Sequence, residues 1–200
     1  MWPVNKLSNK NNRHGLVVWF TGLSGSGKTT ISNLVKDNLE KDGLQILVLD
    51  GDDVRNRLHK SLGFSKTDII ENNHLISKIC FVERLSYDVI MVPIISPYRE
   101  SRVAACKLLS PNFMEVYISA EISVLEQRDT KGLYTAAKNK KINNLIGYSA
   151  GAPYEPPLNA DIILETSHKT IDESSRALYE EIKRTFTCAP LGKKDVKYGN

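Results

Sequence analysis

A chain of 200 residues, 41% hydrophobic and 25% charged, suffices for one globular domain with peripheral segments and is short for two. Its 27 basic and 23 acidic residues leave a net charge of +4 with no long basic run outside the tail, which argues against a nucleic-acid surface and suits a small anionic substrate. No stretch approaches the roughly 18 apolar residues of a membrane span, and Cys80, Cys106 and Cys188 are too few and too scattered for a disulfide framework or a zinc site, so a cytoplasmic protein is expected.

Residues 1–14 are polar, Asn/Lys-rich and without periodicity, and they read as an arm with no apolar run of signal-peptide length. Leu16–Phe20 is a short β-branched and aromatic run of strand type. It leads into Gly22-Leu23-Ser24-Gly25-Ser26-Gly27-Lys28-Thr29, which fits G-x-x-x-x-G-K-[ST] at every fixed position. Beyond it Ile31, Leu34, Val35 and Leu39 recur at helical spacing, so the motif has the strand and helix that a P-loop requires. Residues Gly22 through Gly27, with Lys28, Thr29 and Thr30 opening the helix, are expected to bind ATP. Backbone N–H groups and the positive end of the helix would cradle polyphosphate, Lys28 would reach the β and γ phosphates, and Thr29 would place its hydroxyl on Mg²⁺.

Asp42-Gly43 marks a turn, and Ile46–Leu49 reads as a second strand ending on Asp50, Gly51, Asp52 and Asp53. Ile69, Leu75, Ile76, Ile79, Val82 and Leu85 form a helical face over 68–86, followed by a third strand at Val89–Val92. A further helix through Val103–Leu109, a strand at Met114–Ile118, a strand at Ala160–Leu164 and a closing helix from Ile171 to Phe186 complete the pattern. The stretch 128–157 is rich in Lys, Gly, Asn, Tyr and Pro, and it reads as a long mobile lid with few apolar residues in register. Alternating strands and helices imply an α/β fold of P-loop kinase type: a parallel sheet with helices on both faces, spanning 15–187, and a frayed tail over 188–200.

The placement of the acids selects among P-loop classes. A guanine-reading N-K-x-D is missing, since Asn139-Lys140-Lys141-Ile142 ends on isoleucine. The third strand runs into Ile94-Ile95-Ser96 with no acid, whereas the second ends on Asp50 and Asp52. These two carboxylates would face the phosphates, bind Mg²⁺ (Asp52 together with Thr29) and accept a proton from an attacking hydroxyl, as a small-molecule kinase needs. A non-catalytic nucleotide-binding regulator would have no use for that set.

The blocks Leu49-Asp50-Gly51-Asp52 with Val54-Arg55, Leu62-Gly63-Phe64-Ser65, Glu71-Asn72, Ile95-Ser96-Pro97-Tyr98-Arg99, Arg128-Asp129-Thr130-Lys131-Gly132-Leu133-Tyr134 and Tyr154-Glu155-Pro156-Pro157 resemble the adenylylsulfate (APS) kinase family over about residues 15–186. The resemblance implies transfer of the ATP γ-phosphate to the ribose 3′-hydroxyl of APS, with Mg²⁺ as cofactor and a homodimer as the assembly. It implies that Arg55, Phe64 and Asn72, beside Ile95 and Ser96, hold the acceptor nucleotide. Lys131, Gly132 and Leu133 would belong to the lid, and Arg128 would lie near the ATP adenine. Ser96 occupies the position described as a phosphoserine intermediate, a step that direct transfer does not need.

The chain also departs from the family pattern. Where that pattern reads D-R-x-E-N-I-R-R, this chain has Asp68-Ile69-Ile70-Glu71-Asn72-Asn73-His74-Leu75, so Ile69 and His74 replace arginines expected at the acceptor site. Leu145-Ile146-Gly147 stands for F-T-G, with Leu145 in place of an aromatic wall. A kinase of another 5′-modified nucleotide, such as a cytidine diphosphoramidate, is the alternative these departures leave open.

Overall fold

The computed structural model describes residues 14–58 and 62–187. The expected N-terminal arm, apart from His14, and the C-terminal tail with Cys188 lie outside the described residues. In chain order the elements are β1 (Leu16–Thr21), α1 (Lys28–Lys41), β2 (Ile46–Val48), α2 (Gly51–Leu58), α3 (Lys66–Glu83), β3 (Val89–Val92), α4 (Arg99–Leu109), β4 (Phe113–Ser119), α5 (Ile122–Arg128), α6 (Leu133–Lys138), β5 (Ile162–Glu165) and α7 (Ile171–Thr187). The strands form one parallel sheet in the order β2-β3-β1-β4-β5.

β1 is buried on both faces, and its period-two alternation divides the core. Leu16, Val18 and Phe20 face Ile31, Val35 and Leu39 of α1 and Leu178 and Ile182 of α7. Val17 and Trp19 face Ile76 and Cys80 of α3 and Ala105 and Leu109 of α4. Each such large side chain removed from water contributes about 1.5–3 kcal/mol, so the three layers are held chiefly by β1 and the helices on either side. The start of α3 is set locally: Ser65 accepts from Asp68 N while the Asp68 carboxylate takes the Ser65 N–H, a capping box. Among the described residues no helix is long and apolar enough to cross a membrane.

Every strand expected from the sequence is present within about two residues, but three helices were not foreseen. The Asp-rich end of the second strand is the start of α2, where Asp52 and Asp53 sit in the first turn and favour the positive helix end. The other two, α5 and α6, border and interrupt the expected lid. The stretch does contribute to a core: Leu125, Tyr134 and Leu145 form a small buried cluster, with Leu23, Leu133, Ala137, Ile142 and Tyr148 packed against it. No helical period marks this cluster in the sequence, because α6 is only six residues long and its partners come from both flanks.

Candidate active site

Parallel strands send all their carboxyl ends to one edge of the sheet, and there the structure opens a cleft of about 500 Å³. The P-loop forms part of its wall. Gly22, Gly25 and Gly27 have φ of 147°, 75° and 102°, and a Cβ on Gly22 would come within 2.4 Å of Ile118 O, so that position admits glycine alone. Gly27 precedes α1 without a side-chain cap, which leaves the first N–H groups of the helix for an anion.

Lys28 is 8% exposed, and its Nζ donates to Gly22 O (3.0 Å) and Leu23 O (2.7 Å). Burial, aided by the charge of Lys131 and opposed by Asp50 and Asp52, lowers its pKa to about 7. Thr29 Oγ1 donates to Asp50 Oδ2 (3.1 Å), and Asp50 Oδ1 accepts from Asp52 N (3.0 Å). The P-loop hydroxyl and the strand-two acids are therefore one oxygen-rich cluster. Lys131 joins it through an ion pair of 2.9 Å with Asp52 Oδ2, and this hydrogen bond raises the lysine's pKa. Both side chains are well exposed, so the pair adds little to stability and is easily exchanged for another partner.

A second group of walls comes from α2, α3 and the segment after β3. The Arg55 guanidinium lies 4.7 Å from the centroid of the Phe64 ring and donates to Leu62 O and Gly63 O. Phe64 is 65% exposed and lines the cleft, together with half-buried Ile95 and buried Asn72, Asn73, Ile94 and Ser96. Ser96 has the uncommon φ of 42°. Its carbonyl accepts from Nη1 of buried Arg102 (2.7 Å) and shares the Thr21 Oγ1 proton (3.1 Å) with the nearer Ile95 O (2.8 Å). Arg102 also donates to Glu115 Oε1 (2.6 Å) and to Glu155 O (2.7 Å). Burial pushes the Glu115 carboxyl up against the pull of Arg102. With Tyr154 OH on Thr21 and Glu155 N on Pro97 O, the Tyr154–Pro157 block is clasped to the Ser96–Arg99 block.

The lid's first root is tied to the P-loop. Asp129 accepts from Tyr134 N and Thr135 N at the start of α6, and Tyr134 OH donates to Ser24 O (2.9 Å) from a buried site that pushes its pKa up to about 12. Arg128 lines the cleft and donates to Thr166, whose hydroxyl donates to Ser26 O.

Most of the residues expected from the sequence meet around this cleft, with some exceptions. Gly22 and Leu23 stand behind the P-loop, where their carbonyls receive Lys28. Gly132 and Leu133 do not line the cleft, and Leu133 turns to the apolar cluster under the lid. Leu145 is buried in that cluster, because an aliphatic side chain there gains more from Leu125 and Tyr134 than from a polar cleft; its neighbour Ile146 forms the wall instead. Of the residues at arginine positions of the family pattern, Ile69 lines the cleft, whereas His74 is exposed and Leu75 half-buried on α3 outside the lining. Sequence reasoning missed Asn73, Arg102, Thr166, Lys169 and Thr170. Thr166 could have been found, since it follows directly on a parallel strand's carboxyl end.

A P-loop before a buried-lysine helix, acids at the end of β2, two places along the parallel sheet from the P-loop strand, and Lys131 paired with one of those acids define the chain as a phosphotransferase of the P-loop kinase type. The family model of adenylylsulphate kinase matches residues 14–165. The adenylyl-sulfate kinase of Halothermothrix orenii is 43% identical over 175 residues, 86% of this chain and 91% of that protein. That of Staphylococcus epidermidis is 41% identical over 191 residues, 91% of this chain and 94% of its own length. The solved APS kinase of Mycobacterium tuberculosis in complex with AMPPNP and APS superposes with a TM-score of 0.80 at 36% identity, covering 85% of this chain and 98% of that one. The chain belongs to the adenylylsulphate kinase family.

Proposed function

We propose that this protein transfers the γ-phosphate of ATP to the ribose 3′-hydroxyl of APS, giving the 3′-phosphorylated sulfate donor and ADP. The observation that carries the reading is a single cleft in which a phosphate cradle, two carboxylates and a nucleotide-sized arginine–phenylalanine platform share the walls. Relatives that are named adenylyl-sulfate kinases at about 40% identity across nearly the whole chain support it.

In this reading the P-loop N–H groups and Lys28 hold the β and γ phosphates, which offset the burial that depresses Lys28 and so keep it charged during transfer. Asp50 or Asp52 takes the proton of the 3′-hydroxyl as the new phosphorus–oxygen bond forms and the bond to ADP breaks. Arg55, Phe64 and Asn72 orient the acceptor, and Arg128 with Thr166 lies beside the P-loop where a base would extend. Lys131 leaves Asp52 for phosphate as the lid closes, which also excludes water. Thr29 Oγ1, Asp50 and Asp52 supply hard oxygen donors suited to a largely hydrated Mg²⁺, which when bound neutralises phosphate charge. Family membership and the need for ATP support a cytoplasmic homodimer, which sedimentation velocity would test.

The deciding experiment is a side-by-side ATP-consumption assay with APS and cytidine diphosphoramidate, the product's phosphate located by NMR. APS is expected to turn over at the 3′ oxygen. Turnover of the cytidine compound alone would overturn the acceptor, and phosphate at another position would overturn the mechanism as well.

A further inference from the structure

Asn73 is 3% exposed on the buried side of α3, which it shares with Ile69, Ile76 and Cys80 and with the polar Asn72 and Ser77. The D-R-x-E-N-I-R-R pattern has isoleucine at this position, where this chain has asparagine. Asn73 Nδ2 is 2.9 Å from Ser96 Oγ and 3.0 Å from Ser101 Oγ. Ser101 gives its one hydroxyl proton to Tyr98 O at 2.8 Å, so the Asn73 atom facing it must be a donor, and the orientation of the amide follows. A second donor reaches Ser96 Oγ at 3.2 Å: Trp19 Nε1, an indole nitrogen that can only donate. Both lone pairs of the Ser96 hydroxyl are thus occupied. What it has left is its proton, which no group among the described residues accepts, at a residue on the cleft wall.

We propose that Asn73 is a positioning residue for the acceptor side: it holds the Ser96 hydroxyl as a hydrogen-bond donor to the bound acceptor and keeps Ser96 from taking the phosphoryl group itself. Attack on phosphorus requires an oxygen lone pair. Freeing one here means breaking a bond from Asn73 or from the fully buried Trp19 and leaving that N–H unpaired in the interior. The backbone of Ser96 is fixed by the Arg102 bond to its carbonyl, and turning the side chain away would break both N–H contacts to its hydroxyl at once. The direct route to the acceptor is the one this wall favours. The inference rests on the kinase reading above for the existence of an acceptor, and on the geometry alone for the lock on Ser96.

Two measurements test it. Wild-type protein incubated with ATP alone should show no phosphoserine at Ser96 by mass spectrometry, and phosphorylation there would overturn the proposal. In the two-substrate assay Asn73→Ile should raise the acceptor KM about tenfold while leaving the ATP KM unchanged, Ser96→Ala should do the same, and the double variant should be no worse than either. A purely structural asparagine would lower the melting temperature without that selective KM effect. Should Asn73→Ile fail to fold, the isosteric Asn73→Asp serves: its carboxylate draws the Ser96 proton to itself, so the acceptor KM rises, and the effect shrinks as the pH falls through the carboxyl's titration. Folded variants with an unchanged acceptor KM, or additive effects in the double variant, would overturn the proposal. A wild-type enzyme that ignores APS defeats the substrate reading alone. Ser96 phosphorylated in Asn73→Ile but not in wild type would then still support the lock.

Discussion

The two sides of the cleft are built on different plans. The wall proposed for the phosphates comes largely from one contiguous stretch, Ser24 to Thr30, shaped by backbone angles and a helix start. The acceptor side is assembled from α2, the loop before α3, α3 itself, the segment after β3 and Ile146, which meet only when the sheet is formed. The backbone cradle depends on glycines at positive φ, one of them with a carbonyl 2.4 Å from where a Cβ would sit, so it tolerates little change. The side-chain wall can be repopulated residue by residue, and here Ile69, Asn73 and Ile146 have been, without disturbing the fold.

That contrast can be broken by substitutions on each side. The largest effect is expected from Lys28→Ala, which removes the cation bound between the Gly22 and Leu23 carbonyls. The value of kcat should fall by at least about a thousandfold, and activity within tenfold of wild type would take Lys28 out of the mechanism. Asp52→Asn comes next, with about a hundredfold loss in kcat and little change in melting temperature, because the exposed pair with Lys131 contributes little to stability. An unaltered kcat in both Asp52→Asn and Asp50→Asn would reduce the acids to a helix start.

On the acceptor side the effects should be smaller and confined to one substrate. Ile69→Arg returns a cation to the cleft wall and is expected to lower the KM for APS by up to about tenfold while leaving the ATP KM alone. No change would place the anionic end of the acceptor elsewhere. The smallest signal is a proton. With a folded pKa of about 7 against 10.5 unfolded, the unfolded chain binds more protons at Lys28 between those values. Stability of the free protein should therefore rise with pH across that window, and the burial cost is fully present below it. Bound phosphates restore the charge, so calorimetry of ATP binding near pH 8.5 in buffers of different ionisation enthalpy should detect proton uptake that vanishes in Lys28→Met. Identical heats in all buffers would contradict the shift.

The motif and its flanking periodicities determined by themselves that a strand, a P-loop and a helix follow one another, and that the acids lie at the end of the second strand rather than the third. These are short-range facts, set by glycine angles, helix starts and alternation within a few residues. The small core under the lid was not legible, because Leu125, Tyr134 and Leu145 are brought together by two short helices and a loop and share no single period. Nor could spacing tell that Ile69 faces the cleft while His74, five residues on, is exposed outside its lining, or that Leu145 turns inward and leaves Ile146 at the wall. The role of Asn73 depended on tertiary structure most of all, since its partners Ser96, Ser101 and Trp19 come from other elements far along the chain. A hydrogen bond's meaning lies in which donor reaches which lone pair, and only the packed layers bring those atoms within 3 Å or so of each other.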